Sequence, residues 1–110
     1  MQIHPEKDLS IEAFQQLVND TERLVFVDFF ATWCEPCKFL DEILEELAPK
    51  VASSTRFIKL DIDEHPALQK EFTIMSVPTL MIFKQGEQVW RMAGFGLAKE
   101  MEDIILKLKN

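Results

Sequence analysis

The sequence predicts an α/β domain with a central mixed β-sheet flanked by helices on both faces. Three observations carry that expectation. Leu24-Val25-Phe26-Val27-Asp28-Phe29-Phe30 is a short run of apolar, β-branched and aromatic residues, the pattern of a strand covered on both faces. Phe39, Leu40, Ile43, Leu44, Leu47 and Val51 then recur at helical spacing, with Asp41, Glu42, Glu45 and Glu46 on the outer side. Strand, helix and strand in the first part, then helix, hairpin and helix, is the order of a mixed sheet layered between helices.

Taken along the chain, Asp8-Leu9-Ser10 offers a helix start, and Ile11, Phe14, Leu17 and Val18 follow at helical spacing. The apolar strand and the long amphipathic helix come next. Arg56-Phe57-Ile58-Lys59-Leu60-Asp61-Ile62 alternates with period two and predicts a strand. A short helix is expected over His65 to Phe72, and Thr79-Leu80-Met81-Ile82-Phe83 is a further buried strand. Gln85-Gly86-Glu87 turns the chain into Gln88-Val89-Trp90-Arg91-Met92, an antiparallel hairpin. Leu97 to Lys109 closes the chain as a helix with Leu97, Met101, Ile104, Ile105 and Leu108 on one face. Gln2-Ile3-His4 is a candidate edge strand.

No linker, repeat or shift in composition divides the chain, so residues 1–110 are expected to form one domain. That length buries a core without help from a metal or disulfide. A hydrophobic fraction of 47% excludes intrinsic disorder. Three Gly and five Pro exclude collagen-like and low-complexity classes. Nineteen acidic against twelve basic side chains, net −7, repel a polyanion, and no basic patch is present, so no nucleic-acid partner is expected. No apolar run is long enough to span a membrane. The N-terminal residues lack the basic and apolar regions of a secretory leader, which makes the cytoplasm the expected address. Absence of heptads suits a monomer.

The only two cysteines stand three positions apart, in Trp33-Cys34-Glu35-Pro36-Cys37-Lys38. This segment lies where the apolar strand ends and the long helix begins. Unpaired amides and the helix dipole favour an anion at that helix start, which lowers the Cys34 thiol below the free-cysteine value of about 8.5. Cys37, one turn further in, faces the protein. A Cys34 thiolate can attack a substrate disulfide, and Cys37 can then attack Cys34 and release the reduced product. Pro36 fits the first helical turn, where a missing N–H leaves no bond unmade. Three other uses of the pair compete. Zinc needs about four ligands, and only His4 and His65 remain, singly placed. A purely structural disulfide across so short a loop stabilises little and is reduced in the cytosol. A non-catalytic domain could simply retain the pair.

Val27-Asp28-Phe29-Phe30-Ala31-Thr32-Trp33-Cys34-Glu35-Pro36-Cys37-Lys38 is followed by Lys59-Leu60-Asp61-Ile62-Asp63, Val77-Pro78-Thr79-Leu80, Lys84-Gln85-Gly86-Glu87 and Gly94. In order and spacing these blocks resemble the thioredoxin family across nearly the whole chain. The resemblance implies the thioredoxin fold and reduction of disulfides in protein substrates, with roles in electron transport and cell redox homeostasis. It implies no bound cofactor beyond a redox-active Cys34–Cys37 disulfide. Recycling would come from a thioredoxin reductase, an NADPH-dependent flavoprotein.

Asp28 matches the family's buried carboxylate. A charge inside an apolar strand is costly unless paired or neutral. Burial raises a carboxyl pKa, which suits a base that takes the Cys37 proton near neutrality; the alternative is a strand-end Asp in solvent. Lys59 matches the lysine near that carboxylate, or is an exposed strand lysine. Val77-Pro78 matches the family's cis-proline loop, whose backbone at Val77 would pair with an extended substrate; otherwise Pro78 is a trans residue opening a strand. Trp33 is either a docking surface beside the nucleophile or a core residue. Met75, Gly94 and Phe95 would extend an apolar patch around Cys34, unless Phe95 caps the last helix as core.

Four positions depart from the family pattern. Glu35 stands where Gly is usual. A carboxylate about 6 Å from the Cys34 sulfur raises the thiolate's energy by on the order of 0.7 kcal/mol in water-like screening, about half a pKa unit. It also places a charge on the docking surface. Phe30 replaces Trp, Glu42 replaces a kinking proline, and Ser76 replaces Gly. No reacting group is lost, but the partner stays open: a general reductant, a dedicated electron donor to one enzyme, or an interaction module whose binding is modulated by redox state.

Overall fold

The computed structural model describes residues 1–110. Strand β1 (Leu24–Phe30) is its centre, and all seven of its residues are buried. β2 (Thr55–Asp61) runs parallel to β1, in register from Leu24↔Thr55 to Phe30↔Asp61. Parallel neighbours need a crossover, which α2 (Glu35–Lys50) supplies. On the other side of β1 lies antiparallel β3 (Thr79–Lys84), and beyond it antiparallel β4 (Glu87–Ala93), so the sheet order is β2-β1-β3-β4. Gln85 and Gly86 join β3 to β4 with φ of 52° and 83°, the left-handed pair that a two-residue hairpin needs.

Alternation along the strands divides the core into two layers. Val25, Val27, Phe29, Ile58, Leu60, Met81 and Phe83 face one side, against Phe14 and Val18 of α1 (Ile11–Val18) and Leu68 of α3 (Pro66–Glu71). Leu24, Phe26, Leu80 and Ile82 face the other, against Leu40, Leu44 and Leu47 of α2 and Met101 and Ile105 of α4 (Ala98–Leu108). Period two thus turns Asp28 toward α2 together with Leu24 and Phe26. Lys59 turns the same way beside Phe57, which packs on that layer. This mixed sheet with helices on both faces is the thioredoxin fold expected above.

The elements follow the sequence closely, with differences at their edges. Ser10 caps α1 by accepting the Ala13 N–H at 3.1 Å. β2 stops at Asp61, whose carboxylate accepts the Asp63 N–H at 2.9 Å and starts a 3-10 turn at Ile62. Phe39, expected on the buried face of α2, is 63% exposed because the buried stripe runs through Leu40, Leu44 and Leu47. Leu97, expected on the buried face of the last helix, is instead its exposed N-cap residue. The candidate edge strand at Gln2-Ile3-His4 reduces to one parallel bridge, Ile3↔Lys59, with the His4 N–H donating to the Lys59 carbonyl at 2.8 Å. No helix is long and apolar enough to cross a membrane.

Candidate active site

β1 ends at Phe30, and Ala31 to Trp33 lead into α2. Cys34 is the N-cap of that helix, with extended backbone, and its sulfur accepts the Cys37 N–H at 3.2 Å. One of the amides that a helix start leaves open is thereby aimed at the sulfur. Pro36 lies in the first turn. Cys34 and Cys37 form a disulfide with Cα atoms 5.4 Å apart, and both residues are buried. Opposite them, the Val77–Pro78 bond is cis, and the Val77 carbonyl oxygen lies 3.6 Å from the Cys34 sulfur.

One local and three longer-range hydrogen bonds hold that opposing loop in place. The Thr79 hydroxyl donates to the Ser76 carbonyl at 2.7 Å. The Gly94 N–H donates to the Pro78 carbonyl at 2.8 Å. Gly94 does so at φ +91°, a conformation that glycine adopts at little cost. From β4, the Arg91 guanidinium donates to the carbonyls of Phe72 at 2.6 Å and Thr73 at 3.2 Å. Thr73 has φ 49°, so Arg91 braces the strained residue that opens the loop.

The surroundings of the disulfide are open and apolar. Trp33 is 69% exposed and Met75 86%. With Ile62, Ile74, Ser76 and Val77 they line a cleft of about 140 Å³. The Trp33 indole N–H donates to the Asp63 carboxylate at 2.9 Å, which fixes the ring at the rim. Phe95 is half-buried against the α2–α4 layer. Glu35 is exposed and paired with Lys38 at 2.9 Å one turn along the helix, so its charge does not stand alone beside Cys34.

On the face of the sheet turned toward α2 lies a charged cluster. Asp28 is fully buried, and neither carboxylate oxygen has a hydrogen-bond partner. Burial pushes its carboxyl from the ordinary 3.8 up to about 7; Lys59 opposes that rise and Asp41 adds to it. Lys59 is buried as well, but its ammonium meets Asp41 at 2.7 Å and sits 4.4 Å from the centre of the Phe30 ring.

The structure gathers Trp33, Cys34, Pro36, Cys37, Met75, Val77 and Pro78 around one surface and buries Asp28 and Lys59 in the sheet, on the face turned toward α2. Sequence reasoning missed Asp41, Asp63 and Arg91. Asp41 lies four residues after Cys37 on a helix, among Glu42, Glu45 and Glu46, and its charge by itself marks only the outer face. Asp63 and Arg91 act on residues far away in sequence, which no local pattern signals. No three His, Cys, Asp or Glu side chains converge in a way that could hold a metal ion.

A disulfide at a helix start, ringed by open apolar surface, can be attacked by an incoming thiol and formed again. That is the chemistry of a thiol–disulfide oxidoreductase acting on proteins. Comparison with known proteins agrees. A model of the thioredoxin family matches residues 6–109. The thioredoxin of Staphylococcus saprophyticus is 44% identical over 81 residues, covering 74% of this chain and 78% of its own. Mitochondrial thioredoxin 3 from Saccharomyces cerevisiae, in its oxidised form, superposes with a TM-score of 0.78 at 30% identity, over 93% of this chain and 94% of that one. A chain from a structure on thiol resolution in yeast mitochondrial 1-Cys peroxiredoxin via glutathione/thioredoxin systems superposes at 0.79 and 28% identity, over 94% and 96%. The protein belongs to the thioredoxin family; it is a protein-disulfide reductase whose redox group is the Cys34–Cys37 pair.

Proposed function

We propose that this chain works as one cytoplasmic domain, a monomer, in which Cys34 attacks and Cys37 resolves. In the reduced protein the Cys34 thiolate attacks a substrate disulfide. One substrate sulfur bonds to Cys34 and the other leaves as thiolate. Cys37 gives its proton to Asp28 and attacks the Cys34 sulfur. The Cys34–Cys37 disulfide forms and the second substrate sulfur leaves, so two electrons have passed to the substrate. An NADPH-dependent flavoprotein, thioredoxin reductase, returns them.

The observation that carries this reading is the Cys37 N–H held 3.2 Å from the Cys34 sulfur at the start of α2, a donor in place for a thiolate. Trp33, Met75 and Val77 form the docking surface for an extended substrate, with Pro78 and Gly94 fixing the loop behind it. Glu35 and Pro36 border that surface, Phe95 supports it from the α4 side, and Lys59 acts on Asp28.

A Cys37→Ser variant leaves the mixed disulfide unresolved and retains substrates covalently. Many retained proteins, together with NADPH-coupled disulfide reduction by the native protein and a cognate reductase, support a general reductant. Failure of that coupled assay refutes it. The neighbouring structure on thiol resolution in a yeast mitochondrial 1-Cys peroxiredoxin supports a second reading, a dedicated donor to one thiol peroxidase. In that case Cys37→Ser retains a single partner.

A further inference from the structure

Asp28, Lys59 and Asp41 come from three elements, and only two of the three are joined. Asp28 and Lys59 are register partners across the parallel β1–β2 pair, and strand alternation turns both toward α2. A buried ammonium beside a buried carboxylate would ordinarily pair with it. Here Lys59 reaches instead to Asp41 at 2.7 Å and over the Phe30 ring, while both Asp28 oxygens remain without a partner. The Asp41 side chain is 40% exposed. Its carboxylate keeps part of its hydration, whereas Asp28 would have to ionise in full burial. Asp41 is therefore the cheaper anion for the ammonium to serve.

We propose that Asp41 is a positioning residue for Asp28: by holding the Lys59 ammonium on α2 it keeps the Asp28 carboxyl out of a direct ion pair and able to carry a proton. The inference rests on the reading of Asp28 as the base. The charged groups that face Asp28 are Lys59 from β2 and Asp41 from α2, while β3 presents Leu80 as its register partner. The cysteines at the head of α2 do not titrate while joined. Asp41 acts twice in one direction, because its own charge disfavours a second anion nearby and it engages the one cation that would otherwise pair with it.

The test uses the full chain in its oxidised form, so that no thiol titrates together with Asp28. The Asp28 carboxyl carbon is followed by 13C NMR from about pH 4 to about pH 10. Asp41→Asn keeps the shape and removes the charge; Asp41→Glu keeps the charge. The Asp28 midpoint is expected to fall by about one pH unit or more in Asp41→Asn and to stay near the native value in Asp41→Glu. Lys59→Met should raise the midpoint by itself and shrink the shift caused by Asp41→Asn. An unmoved or raised midpoint in folded Asp41→Asn overturns the proposal, and so does an undiminished shift in the Lys59→Met background. Failure of the base reading shows separately. If Asp28→Asn resolves mixed disulfides at the native rate, Asp28 is not the base, while the titration still decides whether Asp41 controls its proton.

Discussion

Replacing Asp28 with Asn should make the oxidised protein more stable, and only above mildly acidic pH. The folded carboxyl titrates at about 7 against an ordinary 3.8, a gap of about three units. Each unit is worth about 1.4 kcal/mol. Below the lower value both folded and unfolded chains hold the proton, and the group makes no difference. Between the two values the unfolded chain has released its proton while the folded chain keeps it, so stability falls with rising pH by about 1.4 kcal/mol per unit. Above about 7 the fall is complete, at about 4 kcal/mol. Asn carries no charge and escapes this loss. Urea unfolding of both oxidised proteins, followed by Trp fluorescence and extrapolated linearly, gives the difference at each pH. The other ionisable groups are common to both and cancel. The difference should be near zero at about pH 4 and reach about 4 kcal/mol by about pH 8. A difference that is flat across this range refutes the assignment of a raised carboxyl at Asp28.

His65 should give pH dependence of the opposite sense. It is buried, its Nδ1 accepts the Leu9 N–H at 3.1 Å, and burial holds its pKa below the ordinary 6.5. Its contribution is present above pH 6.5 and is lost as pH falls through the lower folded value; the stability difference between native and His65→Ala proteins should shrink as the solution is acidified. Removing Glu35 takes away one anion and unmasks Lys38, both of which favour a thiolate. The pH of half-maximal Cys34 alkylation should drop by about half a unit or less in Glu35→Gly. It should rise in Lys38→Gln and return near the native value in the double variant. Arg91→Ala releases the carbonyls of Phe72 and Thr73 and loosens the loop that ends at Val77. The KM for a protein disulfide should rise about three- to tenfold, as expected for about 1 kcal/mol of lost positioning, with kcat little changed. An unaltered KM would show that the loop holds without it.

What the sequence makes legible is what depends on neighbours in the chain. β1 is recognisable because it is apolar on both faces, and the hairpin because Gly86, which accepts a left-handed conformation, stands between two strand-like runs. Asp28 stands out as the one charge in a buried run. Phe39 and Leu40 are adjacent apolar residues about 100° apart on a helix, and periodicity alone does not say which lies at the centre of the stripe. Leu97 is apolar but precedes the first helical turn, where no core covers it. The Glu35–Lys38 pair lies at i,i+3 and was open to inference. The choice of Lys59 between Asp28 and Asp41 was not. It depends on how α2 lies across the sheet, and neither spacing nor composition encodes that distance.

The same unpaired carboxyl explains why a stabilising alternative would serve the reaction less well. Were Lys59 to close on Asp28, the ionised form would gain a partner and its proton would leave well below neutrality. At pH 7 a carboxyl at about 7 is half protonated, whereas one at its ordinary value holds a proton in fewer than about one molecule in a thousand. In the proposed cycle the proton moves both ways: off Cys37 when the substrate is released, and back when the reductase reopens the disulfide. A group balanced near the working pH serves both directions with little bias. The accompanying loss of stability falls on the strand best placed to bear it. β1 is buried along its whole length, paired on both edges and covered by helices on both faces. A strand less completely packed would relieve the strain by letting water reach the carboxylate, and the carboxyl would return toward its ordinary range. Burial of β1 is thus a condition for the chemistry as well as for the fold.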